Sequence, residues 1–347
     1  MGGTREWRTP DQLDDAAEDA GALRDQASLV TARVLGHRHK DTLLRLMYRG
    51  AWFADAGQFS RCLDLWTWAL QVRLGTDSLL HSDTCHTLCA LTRLLVDLWV
   101  ASCRRVRGEE GPWQAQDGEL GRRPARRHII RVLRLVLEAV PEAQRMLALQ
   151  PRCSTQTEAW ERALRCLVHI AVLADAASDT ESHRDRDELM DLVRTLVSYD
   201  VRSIASGESL LHMVCSRVTA VRSAYFATEP RPLTLFPCAR AARMLLAAGA
   251  APAPRDHVGR TPLHIAASLH NFSTDLIEAL VGGGAHVCTP DEKGAAPLDS
   301  AEETARDLLW SRVTLACRAA RALMSSGAAP PAEQLPQTLL PFLELHR

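Results

Sequence analysis

Residues 259–287 read GRTPLHIAASLHNFSTDLIEALVGGGAHV: a turn, a helix, a second helix and a glycine stop. Gly259 supplies the positive φ of a tight turn, Thr261 is placed to cap the helix, and Pro262 suits its first turn. His264 is placed to tie this turn to the next repeat. Leu263, Ile265, Ala266 and Ala267 offer small apolar faces to neighbouring helices, and LIEALVGGGA forms the second helix, ended by glycine. The stretch has none of the polar clustering of an active site.

The pattern recurs. GAAPAPRDHVGRTPLHIAAS begins at Gly249 and GAHVCTPDEKGAAPLDSAEE at Gly284, with turn glycines Gly259 and Gly294 each ten residues on. That period of 35 residues is close to the ankyrin value of about 33. A weaker copy, GESLLHMVCS, starts at Gly207 and is followed, after an irregular insert, by the helix CARAARMLLAAGA.

Upstream the pattern is also helical. YRGAWFADAGQFSRCLDLWTWALQVRLG, residues 48–75, puts Gly50, Phe53, Ala54, Cys62, Trp66 and Ala69 at the small and aromatic positions of a tetratricopeptide helix pair, with Gly57 at the bend. Small residues let two helices approach, and Trp66 fills the gap between them. Further helices are predicted over 84–105, 127–150, 157–175 and 186–198. Residues 107–127, rich in glycine and charge and poor in aliphatics, predict a flexible surface loop. A single helix is predicted from Glu302 to Met324, and LPQTLLPFLELHR closes the chain with a short amphipathic segment.

The expected fold class is therefore all-α: a helical-repeat solenoid with tetratricopeptide-like helix pairs, then ankyrin repeats, then a C-terminal helical docking box. The boundaries are a helical lead-in over 1–40, tetratricopeptide-like helices over 41–106, the loop 107–127, further helical repeats over 128–200, about three ankyrin repeats over 201–301 with the first degenerate, and the tail 302–347.

At 347 residues the chain is long enough for a substantial core, and a formal net charge of -1 gives no global attraction to nucleic acid or an anionic membrane. The opening MGGTREWRTPDQLDDAAEDAG is polar where a signal peptide requires an apolar run, and LLVDLWVA near residue 94 falls far short of the roughly 20 residues that span a bilayer. Ten scattered cysteines then read as free thiols in a reducing compartment, and the expected location is cytosolic, with the nucleus as a further site.

Few residues suggest chemistry. Cys85 and Cys89 in CHTLC share a helical face, but His86 points about 100° away and no second pair has metal-ligand spacing, so core or surface cysteines are expected. His212 and His264 occupy the same place in successive repeat turns, where a histidine is structural. No phosphate loop or nucleophile elbow is present, and the basic run GRRPARRH, 121–128, lacks interleaved aromatics. Catalytic, cofactor-binding and metal residues are all expected to be absent.

The tail is more specific. TLACRAARAL carries Thr314, Leu315, Ala319 and Leu323, the last three at steps of four on one helical face, and LPQTLLPFL carries Leu335, Pro336, Leu339 and Leu343. Alone, this reads as a helix capping the last repeat.

Taken in order, YRGAWFADAGQFSRCLDLWTWAL, LVRTLVSYDVRS, GESLLHMV, the ankyrin copies, TLACRAARAL and LPQTLLPFLELH resemble the C-terminal part of the feminisation-one (fem-one) homologue family, from about residue 14 to 347. That resemblance implies a substrate receptor of cullin-two RING ubiquitin ligases. Thr314, Leu315, Ala319 and Leu323 match a box that joins elongin B/C and would face elongin C; Leu335, Pro336 and Leu339 match a cullin box and would face cullin-two. The family's N-terminal ankyrin block, which forms most of its degron pocket, has no counterpart in these residues. Pro341 falls inside the expected cullin-box helix, where it would cost about 3 kcal/mol if the helix continued through it.

The function expected is thus a non-catalytic adaptor that brings a protein substrate to the ligase for ubiquitination and proteasomal degradation. The alternative is a protein-interaction scaffold, or a divergent truncated paralogue, that does not engage the ligase.

Overall fold

The computed structural model describes residues 6–7, 9–15, 19–106, 126–149, 153–177, 183–220, 235–299, 301–325, 336–337, 339–344 and 346. Most of residues 107–127 and of the insert after Ala220 lie outside that set, as does Leu335. The described residues form helices joined by turns, with one isolated antiparallel bridge, Arg202 to Ser209. The fold is all-α, and the chain divides into two compact units, one built from its first seven helices and the other from the remainder.

In the first unit, α1 (Pro10–Asp15) and α2 (Ala20–Leu35) lead into α3 (Lys40–Asp55) and α4 (Phe59–Thr76). Asp19 caps α2, its carboxylate accepting from the backbone N–H groups of Gly21 at 2.8 Å and Ala22 at 3.1 Å. Gly50 allows α3 and α4 their close approach, since a Cβ there would overlap the Trp66 indole. The Trp66 Nε1–H donates to the Met47 carbonyl at 2.9 Å, which fixes the ring between the two helices. Gly57 makes the bend with φ 74°.

Three long helices follow: α5 (Ser82–Val106), α6 (Arg126–Ala148) and α7 (Ser154–Ala177). Helix α6 already begins at Arg126, so the last two residues of the expected loop are helical. Residues 82–104 of α5 are long and apolar enough to cross a membrane, yet 72% of its most apolar window is buried inside the protein. Helix α5 packs against α7; Leu88, Leu91 and Leu95 of the one and Ala163, Leu167 and Ile170 of the other are all fully buried, so the hydrophobicity of α5 is that of a core helix.

The second unit starts with α8 (His183–Ser198) and continues through the helix pairs α9 (Leu210–Val214) and α10 (Ala239–Ala247), then α11 (Pro262–Ala266) and α12 (Thr274–Gly282). The two pairs share one capping device. The Thr261 N–H donates to His264 Nδ1 at 2.9 Å, and the Ser209 N–H to His212 Nδ1 at 3.1 Å. Because each Nδ1 accepts, each ring carries its proton on Nε2. These protons go to carbonyls one repeat further on: Arg260 at 2.8 Å from His212 and Ala295 at 3.0 Å from His264. The histidines thus tie turn to turn. Two turn glycines are pressed by the next repeat in the same way: a Cβ at Gly207, φ 74°, would lie 2.8 Å from the His257 nitrogen, and one at Gly259, φ 78°, 2.7 Å from the Glu292 nitrogen.

Thr261 also caps α11, its hydroxyl accepting from the His264 N–H in a capping box. Thr261→Ala is expected to destabilise the second unit by about 1–2 kcal/mol, the usual worth of such a cap. A shifted urea midpoint with unchanged slope would register this loss, and an unshifted midpoint would show that the histidine bonds alone hold the turn.

The third repeat is incomplete. Residues 296–299 make a turn, in which the Ala296 N–H donates to Asp299 Oδ2 at 3.1 Å, and among the described residues there is no inner helix. Where one helix was expected from Glu302 to Met324 there are two, α13 (Glu303–Trp310) and α14 (Leu315–Ser325). The break has a local cause: the Thr314 hydroxyl accepts the Cys317 N–H at 3.2 Å and so starts a new helix. The final element, α15 (Leu340–Glu344), begins one residue before Pro341. Proline therefore sits in a first turn, where no backbone donor is required, and the expected penalty does not arise.

Candidate protein-docking surface

Helix α14 has two unlike faces. Cys317 and Ala320 are each 2% exposed and form its inner side, whereas Leu315 is 81% and Leu323 39% exposed, with Ala319 also at the surface. The inner side is anchored by the Arg321 guanidinium, which donates to both Asp299 carboxylate oxygens at 2.8 and 3.0 Å, and by Cys317 Sγ, 3.4 Å from His286 Nε2. Aliphatic side chains at steps of four are thereby held out to solvent on a fixed helix. An apolar ridge of this kind fits a groove on another protein.

Thr314, Leu315, Ala319 and Leu323 are brought together on this helix, with Thr314 at its cap. Pro336 and Leu339 are exposed at the entry to α15, where the Leu339 N–H donates to the Pro336 carbonyl at 2.9 Å. The two segments share a neighbour in His286: Cys317 of α14 touches its Nε2, and Phe342 of α15 packs edge-on against its ring at 5.9 Å.

A different surface lies in the first unit, where α2, α3, α4 and α6 line a cleft of about 1040 Å³. Arg49 dominates it, its guanidinium 4.3 Å from the ring centres of both Trp52 and Phe53, with an ion pair to Asp25 at 2.6 Å. Arg49 Nη1 is buried without a hydrogen-bond partner. Arg61, Arg131 and Asp64 add charge of both signs around Trp68. Sequence inspection took Phe53 only as a packing residue and passed over Arg49, because the cleft joins residues from separate helices.

The residues weighed for chemistry take structural places. His212 is wholly buried, and burial lowers its pKa to about 4, so it is neutral at pH 7. Cys85 is buried and its thiol lies 3.6 Å from the Ala159 carbonyl, while His86 turns to solvent. Cys166 Sγ reaches Cys89 Sγ at 3.7 Å, and all ten cysteines are free.

Fold and surface together define a repeat protein built for protein–protein interaction. The ankyrin-repeat family matches residues 258–292. Across 99% of the chain the sequence is 30% identical to protein fem-1 homolog A of Homo sapiens, and 28% identical to a fem-1 homolog of Drosophila melanogaster and to fem-1 homolog C of Danio rerio. It covers 48%, 55% and 52% of those proteins, so it spans about half the length of the curated relatives it matches. The chain is thus a relative of the fem-1 homologs.

Proposed function

We propose that this chain is a non-catalytic adaptor that docks a protein partner onto a cullin-two RING ubiquitin ligase in the cytosol or nucleus. The carrying observation is α14: an apolar ridge of Leu315, Ala319 and Leu323 stands outward while Cys317 and Ala320 hold the helix down. In this reading the ridge and Thr314 meet elongin C, and Leu335, Pro336 and Leu339 meet cullin-two. The mixed-charge cleft around Arg49 suits a partner peptide carrying an acidic or carboxylate group. Ubiquitin transfer then depends on proximity, with its chemistry supplied by other subunits.

Leu315→Asp tests the reading cleanly, because a side chain 81% exposed contributes little to folding. Full burial of a leucine is worth about 1.5–3 kcal/mol, and a buried unpaired carboxylate adds a penalty, so affinity for purified elongin B/C is expected to fall by roughly 100-fold or more. Tagged wild-type chain should capture elongin C and cullin-two from lysate while the variant captures neither. Should the wild type capture neither, α14 is a cap and the chain a scaffold.

A further inference from the structure

We propose that His286, Cys288, Cys317 and His346 form a zinc site that fastens the C-terminal segment to the last ankyrin turn. The four donors come from three places: His286 and Cys288 from the turn after Gly284, Cys317 from α14, and His346 from the residues after α15. The ligand atoms of His286, Cys288 and His346 all lie within 4.8 Å of one another. Cys317 Sγ stands 3.4 Å from His286 Nε2 and lies beside the Cys288 thiol. Tetrahedral zinc with bonds of about 2.0–2.1 Å to nitrogen and 2.3 Å to sulfur separates its ligand atoms by roughly 3.3–3.8 Å. Among His286, Cys288 and His346 coordination therefore requires a contraction of about 1 Å at the widest pair, within the reach of side-chain rotation, and Cys317 joins them from the side of His286.

His346 gives the independent indication. It is only 7% exposed, and its Nε2 is buried without a hydrogen-bond partner. Its Nδ1 lies 2.9 Å from the Phe342 carbonyl, and since that oxygen can only accept, Nδ1 holds the proton and Nε2 presents a lone pair to the cluster. A buried unsatisfied acceptor is destabilising, and a cation would satisfy it. A backbone carbonyl on the far ring nitrogen is the usual outer support of a metal-ligating histidine.

The donor chemistry selects the ion. Two imidazoles and two sulfurs suit zinc and disfavour calcium or magnesium, which take oxygen. Cys288 and Cys317 are 3% and 2% exposed, so the site is closed and structural in kind. Arg321, held by Asp299, lies beside the Cys288 sulfur. On binding, Zn²⁺ displaces both thiol protons to solvent and forms two Zn–S bonds. His286 moves its ring proton from Nε2 to Nδ1, giving up a long 3.3 Å bond from the Cys288 N–H, and the two imidazoles complete the set.

This inference does not depend on the ligase reading, although a metal here would hold α14 and α15 in one arrangement. The test is to treat the full chain with chelator, add Co²⁺ as a spectroscopic stand-in for zinc, and then displace it with Zn²⁺. We expect one equivalent per chain, a thiolate-to-cobalt charge-transfer band and tetrahedral d–d bands, all removed by stoichiometric zinc. His346→Ala and Cys288→Ala should each weaken binding by roughly 100-fold or more, beyond the 10–100-fold typical of outer-shell changes. Cys89→Ala, which removes the sulfur that Cys166 meets in the first unit, should leave the bands intact. Circular dichroism of His346→Ala separates lost ligation from lost fold, since that residue follows a five-residue helix. Absence of a cobalt band in the wild type, or a band that survives His346→Ala and vanishes in Cys89→Ala, would overturn the proposal.

Discussion

Gly50→Leu is expected to unfold the first unit, at a cost above about 3 kcal/mol. Several effects compete at this position. In an exposed helix, replacing glycine with a helix former stabilises by about 1 kcal/mol. Here the added Cβ overlaps the Trp66 indole, which cannot move aside without breaking its bond to the Met47 carbonyl. Overpacking of this sort costs typically 1–3 kcal/mol, the lost hydrogen bond about 1 more, and the remaining leucine atoms add to the overlap. The sterics win. Gly50→Ala alone should be destabilising by about 1–3 kcal/mol, opposite in sign to its effect in an exposed helix. Denaturant titration followed by circular dichroism measures both. In a Trp66→Ala background the Gly50→Ala cost should shrink or reverse, a coupling between contacting residues that a double-mutant cycle isolates. Equal costs in both backgrounds would mean that α3 and α4 do not meet through this pair.

The same two residues show why much of the fold was legible in the sequence. Gly50 and Trp66 stand at positions where spacing alone implies a close helix crossing, and TPLH at 261–264 encodes a turn, a cap and an inter-repeat bond within four residues. Local devices of this sort are written contiguously. The break before α14 was equally local, since Thr314 is a ready N-cap, but that signal was not applied and one helix was expected across it. Pro341 was misjudged for a related reason: its cost depends on where the helix starts, and the start is set by the turn at Pro336–Leu339.

What could not be read was the meeting of residues far apart in the chain. His286 and His346 are sixty residues apart, and neither lies in a metal-like spacing with Cys288 or Cys317. Arg49 looks like one more basic residue until α3 folds it between Trp52 and Phe53 and beside Asp25. The outward ridge of α14 falls between these cases. Its period was visible, but which face is buried was decided by His286 and Asp299, which hold Cys317 and Arg321.

The buried histidines make stability fall in mild acid, over a window that follows from their shifts. His212 in the second unit and His169 in the first are both lowered from 6.5 to about 4, in each case chiefly by burial. In the unfolded chain such a histidine takes up a proton near pH 6.5, while the folded form resists down to about pH 4. Protonation therefore favours the unfolded state between those values. The stabilising difference is fully present above pH 6.5 and is lost as pH falls towards 4, by at most on the order of 3 kcal/mol per histidine. The structural cost is specific at His212: a proton on Nδ1 would set N–H against the Ser209 N–H that it now accepts, opening the capping turn. His212→Asn, which does not titrate, is expected to be less stable at pH 7 and to lose less stability on going to pH 4.5. Urea unfolding of both proteins at the two pH values gives the comparison, and the difference between them removes the contribution of the carboxylates. Parallel losses in parent and variant would show that the tie between repeat turns survives protonation, and that the acid sensitivity of this unit resides elsewhere.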